Sequence, residues 1–252
     1  MIKKVVTGDF DFPFGINFYM NSKQSFSDHL QHAATLEAAV LLLSPAYVPG
    51  DIKFTVAELA SAIAVSTAAT ETVETLKIPL QDLVSDRAAL VKAIRPLVTQ
   101  AVGFVKSNTA WSDRFVAVKR VADKVRKVPS SKKEAGDGGP TGQARAKVEG
   151  SFVEIAAFFK TFVDRLISLP GYAPPDTKIS TTALLALHTQ FEAMNTARPT
   201  LADALADAIT DRKETFLGPT GLKFVFDGVK TSVKGQYGQG STQYGMVKGI
   251  RW

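Results

Sequence analysis

A chain of 252 residues, 45% hydrophobic and 21% charged, is long enough for one large domain or two smaller ones, each with its own core. It has no cysteine, which excludes disulfides, thiolate metal sites and a cysteine nucleophile. The net charge of +6 is local. Nine basic and three acidic residues lie between Lys119 and Lys147, an excess equal to that of the whole protein, so the basic pI describes one segment.

Residues 1–24 read as an aromatic extended arm. Met1 to Asp9 carries two lysines with no long apolar run behind them, a poor signal peptide, and no run of about 18 apolar residues follows anywhere. The expectation is therefore a cytoplasmic protein without a membrane span. Phe10, Phe12 and Phe14 alternate with Asp11 and Pro13, and Ile16, Phe18, Tyr19 and Met20 follow. Period-2 aromatic spacing predicts an extended segment that must bury itself on its own core or on a neighbouring subunit.

Residues 25–126 form a first helical module. Ser25 and Ser27 are helix caps, and Leu30, Ala33, Ala34, Val40 and Leu41 follow at helical spacing up to Pro45. A second helix runs from Thr55 through Leu59, Ile63 and Val73 to Leu76. A third begins at Pro79 with Leu80, Leu83, Val84, Leu90 and Val91, and Pro96 bends or breaks it. Residues 127–150, with Lys127, Pro129, Lys132, Lys133 and Gly136 to Pro140, predict a basic flexible linker.

Residues 151–252 form a second module. Ile155, Phe158, Phe159, Phe162 and Leu166 make a helical stripe ended by Pro170. Leu184, Leu187, Phe191 and Met194 mark a helix over 180–197. Leu201, Leu205, Ile209 and Phe216 mark another from Pro199, broken at Gly218-Pro219-Thr220-Gly221. Leu222, Val225, Phe226 and Val229 mark a last one, and Tyr244 to Trp252 reads as a C-terminal arm.

The two modules repeat each other. Pro45, Tyr47, Pro49, Asp51 and Lys53 recur as Pro170, Tyr172, Pro174, Asp176 and Lys178, each 125 positions later. Leu59 and Asp86-Arg87 recur as Leu184 and Asp211-Arg212 at the same offset. Ser112, Phe115, Val118 and Lys119 match Ser241, Tyr244, Val247 and Lys248 at an offset of 129. This predicts an all-α protein of two tandem three-to-four-helix bundles from an internal duplication, with extended arms at both ends. The pattern Leu-Pro-x-Tyr-x-Pro, then Asp211-Arg212, Gly221-Leu222, Val229-Lys230 and Ser241 to Ile250, resembles a duplicated helical family of uncharacterised proteins in Bacteroidota genomes. The resemblance covers the chain from about residue 25 and implies the architecture without an activity.

The search for chemistry ends without a catalytic constellation. His29 and His32, three apart on a helix, lack a clear third metal ligand and read as surface residues; His188 reads as a helix-surface or rim residue. There is no Gly-x-Ser-x-Gly elbow, and Gly136 to Gly142 lacks the Gly-Lys-Ser/Thr ending of a phosphate loop. Asp86-Arg87 and Asp211-Arg212, occurring twice, predict a salt-bridge or inter-helix role. No enzyme activity, cofactor, metal or small-molecule substrate is expected. The leading expectation is a structural or scaffolding protein that associates with itself or with a repeating protein partner. Tyr47, Tyr172, Phe10, Phe12, Phe14 and Trp252 are the partner-binding candidates. The alternative is nucleic-acid association through Lys124, Arg126, Lys127, Lys132 and Lys133, salt-sensitive and without aromatic stacking.

Overall fold

A computed structural model of the chain describes residues 25–43, 46–126 and 142–252, with side chains from residue 152 onward in the last stretch. The N-terminal arm with Phe10, Phe12 and Phe14, and most of the basic segment, lie outside the described residues. Those described are all-α, with no strand among them. Seven helices run α1 (Phe26–Leu41), α2 (Val56–Ser107), α3 (Ser112–Arg126), α4 (Gly142–Ile167), α5 (Thr181–Leu217), α6 (Leu222–Tyr237) and α7 (Thr242–Lys248).

Contacts divide the chain into two compact units, each drawing on separate stretches of sequence. One comprises residues 83–198 among those described, and the other residues 25–82 and 199–252. The first unit holds the C-terminal part of α2, then α3, α4 and the start of α5. Its core is built on Ile94, Val98, Val105, Phe159, Phe162, Leu166, Leu184 and Phe191. The second unit holds α1, the first part of α2, the end of α5, then α6 and α7. Its main core contains Leu36, Val40, Leu59, Phe216, Leu222, Phe226 and Val229, with a smaller cluster of Val73, Leu80, Ala202, Leu205 and Ala208.

Helix starts follow the capping chemistry read from the sequence. The Ser25 hydroxyl accepts from the Asp28 amide while the Asp28 carboxylate accepts from the Ser25 amide, a reciprocal capping box at α1. The break at Gly218 to Gly221 falls where it was expected, between Leu217 and Leu222. A Cβ on Gly218 would sit 2.4 Å from the Glu214 carbonyl oxygen, so only glycine fits that turn.

Four expectations are corrected. The helices expected to end before Pro79 and Pro199 run through them, and Pro96 does not break its helix: α2 is 52 residues long and α5 is 37. Each proline forfeits one bond to the carbonyl four residues back (Thr75, Lys92 and Asn195 respectively). Buried neighbours on the same helices (Val73 and Leu80, Ile94 and Val98, Phe191 and Ala202) hold the helical path through packing. α4 begins at Gly142, inside the expected linker 127–150. The C-terminal stretch is not an extended arm. Ser241 caps α7 by accepting from the Tyr244 amide, and Trp252 packs on the core of its unit. Finally, the buried stripe of α1 is His29, Ala33, Leu36 and Val40, so Leu41 faces out. By length and composition alone α2 is also long and apolar enough to cross a membrane, a test that the core helix of a globular fold passes as well.

A close approach in the second unit is between Gly228 of α6 and the ring of Phe54, which lies in a 3-10 turn after α1. A Cβ on Gly228 would lie 2.1 Å from the ring edge. Gly228→Ala gains helix propensity of roughly 0.5–1 kcal/mol but must displace that ring, at a typical overpacking cost of about 1–3 kcal/mol. We expect net destabilisation in chemical denaturation, relieved when Phe54→Ala is added. Equal or greater stability for the single variant would contradict this packing.

Candidate interaction surface

Two loops turn the chain between helices, and both are closed by a tyrosine. In the first, Tyr47 follows α1; its ring is buried and its hydroxyl donates to the Phe54 carbonyl at 2.8 Å. In the second, Tyr172 follows α4, and its hydroxyl donates to the Ile179 carbonyl at 2.9 Å. Each loop then enters a 3-10 turn, Ile52–Phe54 or Thr177–Ile179. A capping aspartate starts each turn: Asp51 accepts from the Lys53 amide and Asp176 from the Lys178 amide. The prolines stiffen the approach, the phenol spans seven residues, and a short polar cap ends the extended stretch.

Each corner is also held from its own unit. The Gln236 side chain donates to the Ala46 carbonyl and accepts from the Val48 amide at 3.0 Å. At the second corner the Trp111 indole donates to the Pro170 carbonyl at 3.1 Å, Arg114 donates to the Ser168 carbonyl, and Gln100 donates to Asp176 at 2.7 Å. Tyr172 sits among Phe104 and Trp111, with ring centroids 5.6 and 5.9 Å away. Burial pushes its phenol up to about 12 and raises Tyr47 as well. The Lys178 amide and Gln100 hold the Asp176 carboxyl below the usual carboxylate range.

The outward faces of the two corners differ. The first exposes Leu42 (75%), Val48 (71%) and Ile52 (78%), beside half-exposed Leu41 and Phe224. The Phe224 ring lies 5.4 Å from that of Phe54. Among the described residues no other stretch of comparable length exposes so many large apolar side chains. Sequence reasoning missed this surface. The signal was present in the pattern Leu41-Leu42-x-x-x-x-x-Val48-x-x-x-Ile52, but which of these residues face inward depends on where the tyrosine goes.

The remaining candidates fall as follows. Trp252 stacks on His29, with ring centroids 4.5 Å apart and planes 10° from parallel, and lies edge-on to Phe226 at 5.3 Å. His29 was expected on the surface and is instead buried, because this stack covers it. His188 lies partly buried on α5, 3.7 Å from Glu192 and with its ring centroid 6.4 Å from that of Phe159. Lys124 lies over the Phe158 ring at 4.6 Å, and Arg126 bonds Asp123 at 2.7 Å. Lys127, Lys132 and Lys133 lie outside the described residues. Arg87 and Arg212 turn inward over Phe152 and Phe26, at 4.6 and 4.4 Å, while Asp86 and Asp211 face solvent. The inter-helix role therefore falls to the guanidinium and a phenylalanine, and neither Asp–Arg pair forms a salt bridge. Among the described residues no group of three or more His, Asp or Glu is placed to hold a metal. No protein-family model, curated protein or solved structure matches the chain.

Burial first, then the nearby His32, pushes the His29 imidazole below its ordinary value of 6.5, with Lys223 of α6 acting the same way and Asp28 opposing them. A histidine depressed on folding stabilises the folded state above its unfolded value and loses that contribution as pH falls. Thermal denaturation is therefore expected to show stability declining below about pH 6.5, with the acid-side decline reduced in His29→Leu. An unchanged pH profile in that variant would contradict the assignment. Tyr172→Phe and Tyr47→Phe should each cost about 0.5–1.5 kcal/mol in denaturant unfolding, since each removes one hydroxyl donor from a carbonyl inside a corner.

Proposed function

We propose that the protein is a non-enzymatic structural or scaffolding protein that associates with itself, built from an internal duplication that carries two equivalent corners with different outer faces. Support for the duplication comes from contacts as well as from sequence. In the first helix of each half, Phe26, Ala33, Leu36, Val40 and Leu43 pair with Phe152, Phe159, Phe162, Leu166 and Leu169, each 126 positions on. Past the loop, Tyr47, Phe54, Leu59 and Arg87 pair with Tyr172, Ile179, Leu184 and Arg212, 125 positions on. The step of one residue falls inside the loop, where Leu43 and Tyr47 are four apart but Leu169 and Tyr172 are three.

After the glycine break the buried set Val98, Ala101, Val102 and Val105 pairs with Leu222, Val225, Phe226 and Val229, at 124. One exchange is compensated across the interface: Phe54 packs on Gly228 in one corner, where Ile179 and Phe104 hold the matching positions in the other. The likeness to a duplicated Bacteroidota family belongs to this same reading.

The observation that carries self-association is the contrast between the outer faces. Leu42, Val48, Ile52 and Phe224 pair by these offsets with Ser168, Ala173, Thr177 and Gln100. The corner is closed by the same tyrosine bond in both settings, so its folding does not call for large apolar groups at those positions. Three exposed aliphatic residues around one corner are instead what a protein–protein contact uses.

Size-exclusion chromatography with light scattering tests the reading directly. The expected result is a mass above the 27.1 kDa of one chain, rising with concentration, with assemblies visible by negative-stain imaging. A single chain at every concentration, in full-length protein and after deletion of residues 1–20 alike, would refute it.

A further inference from the structure

We propose that the apolar corner formed by Leu41, Leu42, Val48, Ile52 and Phe224 is the docking surface for the aromatic segment Phe10 to Met20 of this same sequence. The inference rests on the self-association reading for one point only, that the segment comes from a second copy.

Three observations lead to it. The first is chemical match. The corner presents aliphatic side chains and one aromatic edge, with Leu42, Val48 and Ile52 each more than two-thirds exposed. The segment carries Phe10, Phe12, Phe14, Ile16, Phe18, Tyr19 and Met20 within eleven residues, more apolar surface than a stretch of chain leaves in water. Alternation through Phe14 puts three rings on one side of an extended chain, where they can lie across a shallow apolar face.

The second is reach. The segment joins the fold at Ser25, the cap of α1, and the corner lies at the other end of that helix. Sixteen helical residues span about 24 Å, whereas the fifteen residues from Phe10 to Ser25 extend to roughly 50 Å. The segment is long enough to meet the corner of its own chain and, with length to spare, that of a neighbour. Reach alone does not choose between them; self-association does.

The third is the internal comparison. The other corner keeps a half-exposed Ile167 in place of Leu41 but has Ser168, Ala173, Thr177 and Gln100 in place of Leu42, Val48, Ile52 and Phe224, and the chain leading into its first helix is the Lys- and Gly-rich segment before α4, which has no aromatic residue between Lys119 and Lys147. The more apolar corner and the aromatic leader occur together in one half of the chain, and the less apolar corner and the polar leader in the other. A surface and its ligand that change together are matched parts.

The experiment places the photo-cross-linking residue p-benzoylphenylalanine at position 12 of the full-length protein. It mixes equal amounts of ordinary and nitrogen-15-labelled chains, irradiates, and maps the joined peptides by mass spectrometry. The expected result is joining to the peptides that contain residues 41–54 or 224, including pairs of mixed isotope, lost in Leu42→Ser/Val48→Ala/Ile52→Thr. Circular dichroism of the triple variant, unchanged from wild type, excludes unfolding as the cause. Corner cross-links found only within single-isotope chains would overturn the second-copy assignment and leave the docking surface standing. Cross-links that map elsewhere, or that survive the triple variant unchanged, would overturn the docking surface itself.

Discussion

A phenol hydroxyl donating to a main-chain carbonyl seven residues ahead is the constraint on which each half of this protein depends. Helices joined by a long loop gain little unless the loop has one path, because each residue left free costs conformational entropy on ordering. Tyr47 and Tyr172 supply that path. The ring fills space against the core, the hydroxyl satisfies a carbonyl that burial would otherwise strand, and the flanking prolines remove alternative dihedrals. The aspartate cap, which accepts from the Lys53 or Lys178 amide two residues on, sets the next turn, and the following helix starts from there.

With the corners fixed, the remaining packing follows short rules. Apolar residues at helical spacing face the core, and glycine appears where backbone or ring approaches closely, as at Gly218 and Gly228. Arg87 and Arg212 show a further device. Each brings a guanidinium out of water onto the face of a phenylalanine, Phe152 of α4 for Arg87 and Phe26 of α1 for Arg212, where burial lowers its proton affinity. The charge is tolerated because stacking and, for Arg87, the side-chain amide oxygen (Oδ1) of Asn195 at 2.8 Å replace part of its hydration.

The corner was legible in the sequence because its chemistry is local: proline, tyrosine, proline, aspartate and lysine at fixed spacing. The stripes Phe159, Phe162, Leu166 and Leu222, Val225, Phe226, Val229 were legible for the same reason, since a 3.6-residue period needs no knowledge of the partner. Three features were not local. Pro79, Pro96 and Pro199 sit inside helices because core residues on either side outweigh one lost hydrogen bond. His29 is buried because Trp252, more than two hundred residues away in sequence, lies flat on it. The outward orientation of Leu42, Val48 and Ile52 follows only once Tyr47 has turned in.

Two corners closed by the same tyrosine bond present different outer faces, so each serves as a control for the other. Reciprocal exchange of those faces tests self-association most directly: Leu42→Ser/Val48→Ala/Ile52→Thr in one protein, and Ser168→Leu/Ala173→Val/Thr177→Ile in another, each followed by sedimentation equilibrium over a concentration series. The account predicts that the first exchange abolishes self-association while leaving the fold intact, and that the second adds an associating surface and raises the average mass. Unchanged association in the first protein would contradict it.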